Sequence, residues 1–528
     1  MKNRGFKELL TFLFVAATVL VLLGILVFFG SHKISPTNNE QKDQLSAPIP
    51  TGKTDQNRSF PEPIRKPAVA GQFYPANSTE LQTELDKYLS NANKVDTTGT
   101  LRILYVPHAG ITYAGNTAAW GFKQIDGKEY SRVILIGSSH KKAINYAAVY
   151  AEGSWETPLG KVAVDSGFAS KILENDEKIL ADIKPHEGEH SLEMELIYLQ
   201  RIVDKFTIVP IILGQTDERM IEVLSYKLAY LMDDETLIIV STDLSHYPNW
   251  ENANYSDNKI IDSILTGKRS EFEKVYSEIE NENIENLDTC ACGHESIKLA
   301  LAVSELLQIS EHKKLKYENS GDTTKDKTRV VGYGSIGSWS ETLPEFLPDK
   351  KTEGEIIKIS RDTLESYIKS NKTPAVEAEN PYLHLPIGVF TTLEKKGILR
   401  GCIGQFEPNQ PLYKVIQSTT ISASSKDFRF QPVKSEELDD IKIEISLMTP
   451  RRRVDSWEEV IAGEHGVVIS SGGKSGTFLP QVATDNKWGI TRFLEELCTQ
   501  KVGLNKDCYK DPNSQLYTFT AHIIDEHK

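Results

Sequence analysis

The chain has 528 residues, 39% hydrophobic and 25% charged, which is enough to bury sizeable cores and excludes a low-complexity polypeptide. Its formal net charge of −14 argues against a general nucleic-acid binder, which needs a positive surface to neutralise phosphate. Five cysteines over this length are too few for a disulfide framework.

In chain order, the first feature is the uncharged run LLTFLFVAATVLVLLGILVFFG at residues 9–30. At 1.5 Å per residue it is long enough for a bilayer core of roughly 30 Å. It exceeds the about 7–15 apolar residues of a cleavable signal, and VFFGSHK is a poor cleavage site. Residues 1–30 are therefore expected to hold a cytoplasmic stub and a transmembrane helix. Lys2, Arg4 and Lys7 precede the run, and Lys33 is the one basic residue close behind it. The positive-inside rule then predicts a single-pass membrane protein with extracytoplasmic domains. Residues 31–66 are polar and contain Pro36, Pro48, Pro50, Pro61 and Pro63. They read as a flexible tether with a reach on the order of 30 Å.

From residue 67, strand-like apolar runs alternate with helical patterns. Strands are expected at 101–106, 132–136, 206–213, 236–240 and 328–331, with helices at 81–89, 191–203, 220–232 and 295–307. Continuous apolar strands separated by helices imply an α/β domain with a mostly parallel or mixed central sheet covered on both faces, here residues 67–345. A break follows in SWSETLPEFLPDKKTE. Beyond it, an amphipathic helix at 355–369 and segments such as IKIEISLMT and LYTFTAHII predict a separate α+β domain over 354–528.

The first domain's strand ends carry the chemistry. YVPHAG places His108, ILIGSSH places His140, and IIVSTDLSH places Asp243 and His246. In open α/β sheets, ligands sit outside the carboxyl ends of the strands. HEGEHSLEME adds His186, Glu187, Glu189 and His190 before a helix, and DTCACGHES adds Cys290, Cys292 and His294. Imidazole, thiolate and carboxylate are the common transition-metal ligands, so this convergence predicts a metal site. Two other motifs are read as tight turns. GYGSIG fits G-x-G-x-x-G but does not run into a helix, and SGGKSG lacks the first glycine of a phosphate loop.

Together AVAGQFYP, VPHAGITYAG, LIGSSH, EHSLEMELIYL, STDLSHY and CGHESI resemble the Memo family, whose microbial members are AmmeMemoRadiSam system protein B. PIGVFTTLEKKGILRGCIGQF, SSKDFRFQPV and GTFLPQVATDNKWGITRFLEELCTQKVGL resemble the AMMECR family, AmmeMemoRadiSam system protein A. The first resemblance implies a fold like the class III extradiol dioxygenases, which use non-haem iron. It also implies a metal trio of His108, His140 and Cys292, with Glu189 and His190 at neighbouring pocket positions. His190 or His246 would then exchange protons with substrate. Such a donor set suits iron first, and copper or zinc as well. The shared name implies a radical-SAM partner.

The expected function is a metal-dependent oxidoreductase acting on a small molecule or peptide. The alternative is a non-catalytic metal- or peptide-binding scaffold. In LRGCIG, Arg400 is either an anion ligand or a structural ion pair, and Cys402 is either a nucleophile or metal ligand, or a small buried apolar group. An exported location would permit a Cys498–Cys508 disulfide, although the spacing does not require one.

Overall fold

The computed structural model describes residues 62–526, except 174–176 and 455. The run at 9–30 and most of the tether lie outside the described residues. Among the described residues no helix is long and apolar enough to cross a membrane. The longest of them, Lys350–Ser370, has 21 residues but is amphipathic, and its charged face keeps it out of lipid. The expected fold class is corrected accordingly. It is a mixed α/β domain followed by an α+β domain, with no transmembrane helix among the described residues. The single-pass localisation, its extracytoplasmic orientation and the membrane as a partner are withdrawn with it, and no other partner is indicated.

The first domain includes residues before 67. Ile64–Arg65 pairs in parallel with Ser154–Trp155. Arg65 is buried and bridges Glu193 at 2.7 Å.

The central sheet has eight strands. In spatial order they are Glu311–Asn319, Gly332–Ser340, Thr100–Val106, Thr236–Ser241, Arg132–Ser138, Thr207–Leu213, Ala147–Val149 and Ile179–Ala181. The four strands from Thr100–Val106 to Thr207–Leu213 are parallel. Gly332–Ser340 and Ala147–Val149 join on either side as antiparallel neighbours, so the sheet is mixed.

The apolar runs are continuous because both faces are covered. Successive side chains of a strand point to opposite faces. Ile103, Tyr105, Ile134, Ile136, Ile238 and Val240 enter one core, with helices Glu218–Leu231, Trp250–Leu265 and His294–Leu306. Leu104, Val106, Val133, Leu135, Leu237 and Ile239 enter the other, with helices Ser78–Ser90, Ile111–Phe122 and Ser191–Ile202.

Two sequence expectations differ. No strand covers 328–331; Val331 forms only an isolated bridge to His246. GYGSIG is not a turn but the start of the strand Gly332–Ser340. Its glycines let helix Trp250–Leu265 lie close against one face, since a Cβ at Gly332 would collide with Asp257, and Ser335 Oγ donates to the Thr117 carbonyl of helix Ile111–Phe122 at 2.6 Å on the other. SGGKSG does contain the turn between Gly466–Ser471 and Lys474–Phe478.

The second domain has two four-stranded sheets. One, including Val389–Lys395 and Ile398–Gln405, packs against helices Lys350–Ser370 and Leu412–Ser425. Phe346 and Tyr230 belong to the preceding part of the chain and join this core, with Phe346 stacked on Tyr382 at 6.0 Å. Cys498 and Cys508 form a disulfide beside the second sheet.

Candidate metal centre

Three adjacent parallel strands end at one edge, in the order Thr100–Val106, Thr236–Ser241, Arg132–Ser138. His108, Asp243 and His140 each lie two residues beyond their strand's last residue. The turn that carries His108 is held by Asp243, whose Oδ1 accepts the amides of His108 at 2.9 Å and Ala109 at 3.3 Å. Burial raises the Asp243 carboxyl above its ordinary range.

The fourth element is the start of helix Ser191–Ile202. Glu189 and His190 sit immediately before it. Glu189 accepts the amides of His190 at 2.8 Å and Ser191 at 3.1 Å, so the carboxylate satisfies free N–H groups at the helix start. It also reaches the next strand, where Oε2 accepts the His140 amide at 2.6 Å. This approach depends on Gly137, because a Cβ there would meet Leu192 Cδ2 at 2.7 Å.

His108, His140 and His190 present ligand atoms that all lie within 4.8 Å of one another. Two nitrogens on one ion, each about 2.1 Å from it, would be roughly 3–4 Å apart. Closing the set on a metal needs the widest pair to draw together by roughly 1–2 Å. The ring centroids are 5.0, 5.4 and 4.8 Å apart for the pairs 108–140, 108–190 and 140–190.

Each ring's far nitrogen is engaged. Glu189 Oε1 lies 3.0 Å from His140 Nδ1 and 3.2 Å from His190 Nδ1. His108 Nδ1 lies 2.8 Å from Ser241 Oγ. An ionised carboxylate only accepts, so His140 and His190 carry hydrogen on Nδ1, and Nε2 is the nitrogen of each ring that Glu189 does not engage. This is how ligating histidines are usually oriented by a second carboxylate or oxygen. Burial pushes Glu189 up, but hydrogen bonds from both imidazoles outweigh it and hold the group well below the usual carboxylate range. Burial, with the neighbouring His140 and His190, keeps His108 far below its ordinary value and hence neutral. The donors present suit a transition metal.

Cys292 is adjacent but differently placed. Its Sγ lies 3.4 Å from His108 Nε2 and accepts the Asp243 amide at 3.3 Å. Gly293 brings it there, since a Cβ at that position would meet Thr242 at 2.4 Å. Burial and the Asp243 charge push the Cys292 thiol up. A bound cation would reverse that shift. The geometric cluster thus has His190 where the sequence expectation had Cys292, with the sulfur against one member.

His246 bonds its own strand exit, with Nδ1 2.9 Å from the Leu244 carbonyl. It lies close enough to bear on both His108 and Asp243. Tyr247 follows at φ 71, an outlier for a bulky residue, with its amide held by the Val330 carbonyl. Phe73 packs edge-on against His190 at 5.0 Å.

The other candidates lie apart from this cluster. His186 is buried among Tyr150 and Trp155, and its value drops to about 3 through burial. His294 pairs with Glu273 at 2.7 Å and stacks on Tyr276. Arg400 makes a two-pronged pair with Glu437 at 3.2 and 3.0 Å and donates to the Gln431 and Pro432 carbonyls, so it is a structural ion pair. Cys402 is half-buried and its Sγ accepts from Thr392 Oγ1 at 3.4 Å.

Sequence reasoning missed Ser241 and Glu195. The only signal was a polar residue ending the apolar run TLIIVS and a glutamate within the apolar pattern of EHSLEMELIYL.

Residues 65–337 match the family model described as Memo-like protein, and residues 357–524 match AMMECR1. A MEMO1 family protein of Thermoplasma volcanium is 33% identical over 274 residues, 52% of this chain and 97% of its own length. Another, from Nitrosopumilus maritimus, is 33% identical over 279 residues, covering 52% of this chain and 98% of its own. The crystal structure of an uncharacterised protein from Pyrococcus horikoshii is 32% identical, covering 34% of this chain and 93% of its own, with a TM-score of 0.31. The strand-end histidines thus stand within the matched segment, and the chain belongs to the Memo-like family, carrying an AMMECR1 domain behind its Memo domain.

Proposed function

We propose that the Memo domain holds one redox-active transition metal, iron in the first instance, and carries out oxidoreductase chemistry on a small molecule. The observation that carries this reading is the clustering of ligand atoms of His108, His140 and His190 within 4.8 Å of one another, with each ring's Nδ1 held by a polar oxygen. Three imidazoles on one face suit non-haem iron, and equally copper or zinc. Iron or copper held there would supply Lewis acidity and one-electron chemistry, and zinc Lewis acidity alone.

The residues of the chain do the rest. Glu189 fixes the orientation of His140 and His190, and Asp243 fixes the turn of His108. His246 has Nδ1 committed to a carbonyl, so Nε2 is the atom that would take or give a substrate proton. Phe73 covers one side of the His190 ring. Cys292 is a candidate fourth donor beside His108.

That same sulfur supports the second reading. Three imidazoles and a thiolate would saturate a tetrahedral ion, leaving a closed structural site of a scaffold. Exposing the anaerobic, iron-loaded chain to nitric oxide separates the two by electron paramagnetic resonance. Uptake of nitric oxide on the iron supports an open, reactive site. An ion retained without any uptake supports the scaffold and contradicts the oxidoreductase reading.

A further inference from the structure

Beneath the cluster, Ser241 Oγ has three polar neighbours, each at 2.8 Å: the Ser191 carbonyl, Glu195 Oε1 and His108 Nδ1. All three side chains are buried, with Ser241 at 0%, Glu195 at 1% and His108 at 2% exposure. A serine hydroxyl has one hydrogen to give and two lone pairs to receive. The carbonyl can only accept, so it takes the hydroxyl hydrogen. Both remaining contacts must then bring a hydrogen of their own. His108 Nδ1 is accordingly N–H, and Glu195 Oε1 is the O–H of a neutral acid. If Glu195 were ionised and took the hydroxyl hydrogen, the hydroxyl and carbonyl oxygens would face each other lone pair to lone pair at 2.8 Å.

We propose that Glu195 is a positioning residue: as a neutral carboxylic acid it donates to Ser241, which fixes His108 as the Nδ1–H tautomer with its Nε2 lone pair turned to the cluster. Complete burial favours the same neutral state. The centre thus orients its histidines in two ways. The anion Glu189 fixes two of them, and a neutral acid acting through a hydroxyl fixes the third. An unpartnered carboxylate charge at this fully buried position, which would be costly, is avoided. The proposal rests on the metal-site reading for its functional meaning, but the protonation pattern is testable without any metal.

The test uses the full metal-free chain labelled with ¹⁵N-histidine, in magic-angle-spinning NMR, with the His108 signals identified by their loss in His108→Gln. The parent and Glu195→Gln are expected to show His108 protonated on Nδ1 only, because the glutamine amide also donates. Glu195→Ala and Ser241→Ala are expected to show a mixture of tautomers. Infrared spectroscopy of the parent is expected to show a protonated carboxylic acid band that Glu195→Gln lacks. An Nε2–H or mixed His108 in the parent would overturn the proposal, and that result needs no variant to fold. So would loss of the tautomer in Glu195→Gln as complete as in Glu195→Ala, or its retention in both alanine variants. A separate titration of the parent with Co²⁺ reports on the metal reading. Failure to bind there contradicts that reading and leaves the tautomer result standing. With binding, Ser241→Ala is expected to weaken Co²⁺ by about 10–100-fold.

Discussion

Glu189 bears more contacts to the centre than any histidine does, because one carboxylate serves two imidazoles, the His140 amide and a helix start. Its loss frees two rings at once. Glu189→Ala is expected to lower metal affinity by about 10–100-fold with the ligand set intact, measured by competition against a chelator of known strength.

His108, His140, Asp243 and His246 were legible in the sequence because each follows an apolar strand. The close approach of His190 to His108 and His140 was not, because it depends on how a helix start leans on a strand end. Arg400 was ambiguous for a related reason, since Glu437 is remote in sequence. Glu437 is held at about 2, chiefly by the Arg400 hydrogen bond, against an ordinary 4.5. Its folded-state value is depressed, so the pair stabilises fully above about 4.5 and fades as pH falls through about 2. Arg400→Ala is therefore expected to cost on the order of 1–3 kcal/mol near pH 7 and less as the pH is lowered, read from denaturant unfolding at several pH values.

At the level of elements, the strands could be read because runs such as LRILYV and RVILIG are apolar throughout, and the helices because their apolar positions recur with helical spacing. GYGSIG was misread because glycines signal turns when taken alone. Here they serve close packing within a buried strand, a tertiary requirement that no local pattern carries. The junction that builds the centre has the same character. Gly137→Val would push Leu192 away, and with it the helix start bearing Glu189 and His190. The expected cost is about 1–3 kcal/mol in unfolding free energy, together with a loss of bound metal disproportionate to it. Unchanged metal content in a destabilised Gly137→Val would show that the junction does not set the site.

Across the whole molecule, the two domains were separable in the sequence because a proline-bearing, charged stretch divides two patterns. Their shared contact through Phe346 and Tyr382 was not foreseen. The apolar run at 9–30 was the strongest compositional signal, yet it lies outside the described residues and contributes nothing to the account of the site. The disulfide closes a short loop, at a sequence separation of 10, in the core beside the second sheet. Replacing Cys498 and Cys508 together by alanine is expected to destabilise the AMMECR1 domain by roughly 3 kcal/mol while the Memo domain's transition stays in place, seen by calorimetry. The most direct measurement of the central claim is metal analysis of the anaerobically purified chain beside its His108→Ala/His140→Ala/His190→Ala variant. The account predicts about one transition-metal ion per chain in the parent, as a single catalytic site requires, and almost none in the variant. Equal metal in both proteins would contradict it.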